Sequence, residues 1–170
     1  MIEHRLIERM LSVIKNMLSE IESKQQVDPV SVEVVVDFIK FYADRTHHGK
    51  EEDILFREMD KKPLSAEDRK IMNELIDEHV IGRNATKALA DANMRYQNGE
   101  KAALGEIADN FKTLLEMYPQ HIDKEDNNFF PASRTYFTEE EDKKMLEEFW
   151  EFDRKLIHEK YESVMAALEK

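Results

Sequence analysis

The 170-residue chain contains no cysteine. That excludes a thiol nucleophile, a thiolate metal site and a disulfide framework together. Glycine and proline are scarce, four of each; so little turn chemistry favours a few long helices. No apolar run approaches the ~20 residues of a membrane span, and no signal-peptide core opens the chain. The expectation is a soluble, cytoplasmic protein with no membrane partner. Positive charge is also in deficit, with 25 Lys+Arg against 37 Asp+Glu and a net charge of −12. Nucleic-acid surfaces concentrate positive charge, so that class of partner is excluded. Hydrophobic residues make up 41%, too many for charge-driven disorder, and the length suits one domain with its own core. What remains for chemistry is carboxylate, hydroxyl, tyrosine and six histidines.

The few punctuation marks divide the chain into five helices. Apolar residues from Ile2 to Ile21 recur at helical period. Asp28-Pro29 reads as an N-cap with proline at the first helical position, opening a helix to about Asp60. Ser65 to Asp68 has the form of a capping box, and its helix runs to the stop signal Asn98-Gly99. A fourth helix spans about Glu100 to Asn128, with Pro119 inside it, and Phe129-Phe130-Pro131 ends it. Thr138 to Glu141 is a second capping box, opening a fifth helix to the C-terminus. The fold class expected is all-α: an up-down-up-down four-helix bundle over residues 1–135, with an additional C-terminal helix, 136–170, packed on the same domain. On that helix, Met145, Phe149, Phe152, Leu156, Tyr161, Val164, Met165 and Leu168 form a stripe suited to packing on the bundle; a homodimer seam is its alternative use. Phe56, Phe129, Phe130 and Trp150 are expected in the core.

Histidines and acids fall together. His47-His48-Gly49-Lys50-Glu51-Glu52 holds two His-to-Glu pairs four residues apart, and His121-Ile122-Asp123-Lys124-Glu125 holds a third. Residues at i and i+4 share a helix face, so each pair offers a nitrogen and an oxygen to one point, a chelate for iron, manganese or zinc. Glu3-His4 and Glu78-His79 add single histidines. Depth can be read from chain length: His4 and His48 each lie about 19 residues from the first turn, roughly 28 Å along antiparallel neighbours at 1.5 Å per residue. His79 and His121 stand about 19 and 21 residues from the third turn, an offset of ~3 Å. A single such pair is usually a solvated ion pair, but four helices converging on one layer point to a shared metal site. His158 and Glu162 repeat the spacing on the fifth helix, outside that layer.

These residues give the chain its resemblance to the hemerythrin-like proteins, the HHE cation-binding domain family. The match is carried by EHRLI from Glu3, HHGKEEDILF from His47, Glu78-His79 with Gly82-Arg83, and HIDKEDNNFFP from His121. It covers residues 1 to about 135, with all four motifs in family order. The resemblance implies a four-helix bundle around two iron ions, with histidines as terminal ligands and two bridging carboxylates; manganese or zinc are the substitutes. Carried over by position, the metal residues are His4, His48, Glu52, His79, His121 and Glu125, with Asp126 the rival bridge. Oxygen-carrying hemerythrins have a second helix-three histidine where this chain has Arg83, which leaves the set one ligand short. Glu51, His47, Tyr42 and Tyr118 are the candidates to fill it.

A changed ligand set puts simple reversible O₂ carriage in doubt. The function implied is a non-haem diiron protein acting on or sensing O₂, peroxide or NO, in oxidant defence or redox sensing. The alternative is a non-catalytic O₂ or iron carrier or storage module using the same site, and a metal-free helical interaction module is the third. The partner is a small diatomic or peroxide ligand, and the chain is a monomer or homodimer.

Overall fold

The computed structural model describes the backbone of residues 2–168 and the side chains of residues 2–162, 164 and 165. All regular structure among them is helical. α1 (Ile2–Lys24) stops at Gln25, whose φ of 54° breaks the helix. Asp28 then accepts the N–H groups of Val30 and Ser31 at 3.2 and 3.1 Å, two of the donors a helix start leaves unpaired, and Pro29 opens α2 (Pro29–Phe38). The rod continues unbroken through π-helical turns at Ile39–His48 and Glu51–Phe56 into α3 (Arg57–Met59). Ser65 caps α4 (Ala66–Gln97) by accepting the Asp68 N–H at 3.0 Å. Gly99, at φ 92°, ends that rod, its N–H donating to Tyr96 and the Glu100 N–H to Arg95; few residues other than glycine take this φ without strain.

The fourth rod departs from expectation at both ends. α5 (Ala103–Lys124) begins at Ala103 rather than Glu100. The rod does not stop at Phe129-Phe130-Pro131, but runs through a π turn (Glu125–Phe129), α6 (Phe130–Ser133) and a 3₁₀ turn (Arg134–Tyr136). Pro131 falls in the first turn of α6, where a missing N–H breaks no bond within that helix. A reciprocal box then opens α7 (Glu139–Leu168): Thr138 N–H donates to Glu141 Oε2 at 2.9 Å, and Glu141 N–H to Thr138 Oγ1 at 3.3 Å.

α4 packs against α5 and the second rod, and α5 against α1, which closes a four-rod bundle. Its apolar interior falls into two clusters. One holds Ile7, Ile14, Val32, Leu89, Phe111 and Leu114; the other holds Ile54, Phe56, Met59, Leu75, Phe129 and Met145. On each rod except α1, where His4 opens the helix, the histidines and carboxylates lie between residues of the two clusters. A polar layer therefore divides the core.

α7 covers the second cluster with Met145, Phe149 and Phe152, and buries Leu156 further along the same face, at a spacing of i, i+4, i+7 and i+11. Phe152 packs against Gly49, where an added Cβ would lie 2.8 Å from Phe152 Cζ. Phe56 and Phe129 are buried and Phe130 packs against the core, but Trp150 is 72% exposed. One position beyond Phe149 turns it about 100° off the packed face. Tyr161, Val164 and Met165 are exposed as well, so they do not join the packing stripe, and the Leu168 side chain lies outside the described residues. No helix among the described residues is long and apolar enough to cross a membrane.

Candidate metal centre

Seven donors occupy the polar layer, all buried: His4, His47, His48, Glu51, His79, His121 and Glu125. They form two groups whose ligating atoms lie within 4.8 Å of one another, one of His48, Glu51, His79 and His121, the other of His4, His47 and Glu125. Each carboxylate faces both groups. Glu125 turns Oε2 to His4 Nε2 at 3.1 Å and Oε1 to His121 Nε2 at 3.2 Å. Glu51 turns Oε1 to His47 Nε2 at 3.8 Å and Oε2 to His79 Nε2 at 3.5 Å.

Of the six residues expected as ligands, the fold brings five together and sets one apart. Glu52 lies at the edge of the layer, 28% exposed, and Glu51 takes the interior position. Glu51 turns to Nε2 of His47 and His79, whereas Glu52, one residue on, turns to Nδ1 of His79 and to Arg83. The π-helical turns occur in these segments, where N–H groups reach carbonyls five residues back, as Gly49 to Asp44; such turns recur at functional sites. His47 supplies a fifth imidazole to the layer. Tyr42 stays outside it, half-buried. Tyr118 is buried beside it, its ring 6.0 Å from that of His48 and 6.4 Å from that of His121. His158 is exposed on α7, away from both groups.

A further ring of carboxylates holds the imidazoles. His4 Nδ1 meets Asp126 at 3.0 Å, His47 Nδ1 meets Glu3 at 3.1 Å, His79 Nδ1 meets Glu52 at 2.6 Å and His121 Nδ1 meets Glu78 at 2.8 Å. His48 Nδ1 faces Asp44 at 3.6 Å. An ionised carboxylate only accepts, so the hydrogen-bonded Nδ1 atoms carry a proton, which leaves Nε2 as the nitrogen that would give a lone pair to a cation displacing any proton there. His4 Nε2 and His47 Nε2 lie 2.9 Å apart. Spacing in the sequence misleads here: Glu3 serves His47 rather than its neighbour His4, and Glu78 serves His121 rather than His79. Cations back the ring in turn. Arg83 reaches Asp44 at 2.7 Å and Glu52 at 2.6 Å, Lys124 reaches Glu78 at 2.5 Å, Arg5 stands 3.9 Å from Asp126, and Lys50 joins Glu3 to Asp153 of α7.

Crowding of charge shifts these groups. Burial opposes the charged form of His47, but Glu51, Glu125 and Glu3 outweigh it and hold its pKa up to about 10. His121, likewise opposed by burial, is held up to about 9 by Glu125 and Glu78. Burial and neighbouring imidazoles push His48 well below the usual range, and burial lowers His79 despite Glu52. Burial raises Glu51, with Glu125 adding to it, whereas His121, His4 and His47 overcome burial to hold Glu125 down.

The donor set fits cations. Both oxygens of Glu51 and Glu125, both nitrogens of His48, and Nε2 of His79 and His121 are buried without a hydrogen-bond partner. Such atoms are costly unless something in the layer accepts their lone pairs. Imidazole and carboxylate without sulfur suit iron, manganese or zinc.

The family model of the hemerythrin HHE cation binding domain matches residues 1–133. The chain belongs to this family. No curated protein and no solved structure matches it significantly. The hemerythrin-like region ends before α7, so the wall that α7 adds to the centre lies outside it. That wall bounds a cavity of about 300 Å³ which reaches His47 and Glu51, with Leu55, Phe130, Phe137, Met145, Leu146 and Phe149 as its apolar lining and Glu3, Lys50, Arg134 and Asp142 as its charged lining.

Proposed function

We propose that the chain is a non-haem diiron protein that acts on or senses O₂, peroxide or NO, in oxidant defence or redox sensing. The observation that carries this is the double-facing pair Glu51 and Glu125, each with one oxygen toward each histidine group. In the ligand set we assign, His4 and His47 would hold one cation and His48, His79 and His121 the other, with Glu51 and Glu125 available to both. Bound there, iron would supply a point of attachment and the electrons for redox chemistry on a small ligand.

The residues divide the remaining work. The Nδ1–carboxylate hydrogen bonds orient His4, His47, His79 and His121 with Nε2 inward, and Arg83, Lys50 and Lys124 help to hold Glu52, Glu3 and Glu78 ionised. The His4–His47 half has one imidazole fewer, so it has room for a ligand, and the apolar cavity opens on that side. Its size and apolar lining suit a small molecule, and its acids, Glu3 and Asp142, are matched by Lys50 and Arg134.

The test mixes reduced, iron-loaded protein with O₂, hydrogen peroxide or NO and follows both ligand consumption and the visible spectrum. Consumption of at least one ligand with a matching spectral change is expected. Reversible O₂ uptake with no consumption of any ligand would instead make the chain a carrier.

A further inference from the structure

The outer face of α7 is apolar and open. Leu146, Trp150, Ile157, Tyr161, Val164 and Met165 are between 43% and 72% exposed, and at about 100° per residue they fall within one stripe roughly 100° wide. A contiguous apolar stripe of this kind marks an interaction surface. The packed face of the same helix, with Met145, Phe149, Phe152 and Leu156, already lies against the bundle.

The stripe is nearly symmetric about its middle, with Val164 alone mirrored by an acid, Glu147. Leu146 and Met165, Trp150 and Tyr161, and Arg154 and Ile157 are each equidistant from the point between Lys155 and Leu156. Set against an antiparallel copy of itself, the helix lays Leu146 on Met165, Trp150 on Tyr161 and the stem of Arg154 on Ile157. Such a pairing closes by a two-fold axis with no edge left over.

Charge selects the same direction. Residues 139–153 carry eight carboxylates against two lysines, and residues 154–168 carry three basic side chains against two carboxylates. A parallel pair would stack the acidic halves together, whereas an antiparallel pair sets each against the less acidic half. Arg154, bonded to Glu151 at 3.0 Å, and Glu147 put polar side chains into the seam opposite Ile157 and Val164, and polar residues in an apolar seam specify register.

We propose that the chain forms a homodimer through antiparallel pairing of the outer faces of its two α7 helices. No residue of the metal layer lies in this contact; Leu146, which also lines the cavity reaching His47 and Glu51, is its nearest member to the centre.

Sedimentation of the full chain over a dilution series tests it. Near tens of micromolar the mass should be about twice that of one 20.1 kDa chain, falling on dilution as the seam separates. Trp150 is the only tryptophan, so its emission should shift to the red in step with the mass. Trp150→Glu should weaken association by ~100-fold with far-UV circular dichroism unchanged, because the side chain is exposed in the single chain. Leu146→Cys alone should not cross-link, while a mixture of Leu146→Cys and Met165→Cys chains should. A single-chain mass at every concentration, a dimer indifferent to Trp150→Glu, or a disulfide between two Leu146→Cys chains would each overturn the proposal.

Discussion

Arg83 Nη2 lies 2.6 Å from Glu52 Oε1, and the same oxygen lies 2.6 Å from His79 Nδ1. Glu52 thus sits between a guanidinium and an imidazole, turned away from the interior that Glu51 occupies. The two adjacent glutamates should therefore respond differently to substitution. Glu51→Ala should lose most bound metal, whereas Glu52→Ala should keep the metal content and lower affinity by about 10–100-fold, the usual effect of removing a group that orients a ligand. Metal analysis and chelator competition on both variants check this; equal losses would remove the distinction.

Arg83 holds Asp44 as well as Glu52, and so steadies the partners of His48 and His79 together. Arg83→Leu should leave metal content near that of the parent and lower affinity by about 10-fold. Arg83→Lys should restore only part of it, because one ammonium replaces a fork that reaches two carboxylates. Complete loss of metal in Arg83→Leu would mean that Arg83 does more than hold carboxylates.

Much of this was legible in the sequence. Asp28, Ser65, Gly99 and Thr138 each mark a helix end that the structure contains, because caps are local chemistry. The histidine layer was legible through chain length, since rise per residue is nearly constant in helices. Glu52 entered the expected set by position, through the resemblance; its contacts with His79 and Arg83 join different rods, and the π-helical turns shift the face that an i, i+4 count assigns. The pairings of Glu3 with His47 and Glu78 with His121 join different rods, and no local spacing encodes them. Trp150 was misplaced for a related reason: α7 has two apolar faces, and composition alone does not say which one the bundle covers.

At Gly49 the second rod packs directly against Phe152 of α7. Gly49→Ala would place a Cβ 2.8 Å from Phe152 Cζ, and overpacking of this kind costs about 1–3 kcal/mol. Calorimetry should show a Tm lower by roughly 2–12 °C for a chain of this size. Adding Phe152→Leu should recover part of the loss. An unchanged Tm in the single variant would mean that the ring moves aside freely.

Glu141 reports the docking of α7's first turn. Lys62 bonds its carboxylate, the Thr138 N–H adds to this, and the pKa falls from 4.5 to about 2. A depressed carboxylate pKa stabilises the folded state above the unfolded value, and that contribution is lost as pH falls through the folded one. In an NMR titration, the Glu141 carboxyl carbon should still be ionised at pH 4, and Lys62→Met should move its midpoint up toward 4.5. A midpoint near 4.5 in the parent chain would contradict the contact.

The central claim is that Glu51 and Glu125 span two cations held by five histidines. X-ray absorption on iron-loaded protein, with iron measured per chain, tests it most directly. The account predicts about two irons per chain, a first shell of nitrogen and oxygen without sulfur, and an iron–iron vector of roughly 3–4 Å. One iron per chain or none, or two irons with no iron–iron vector, would contradict it.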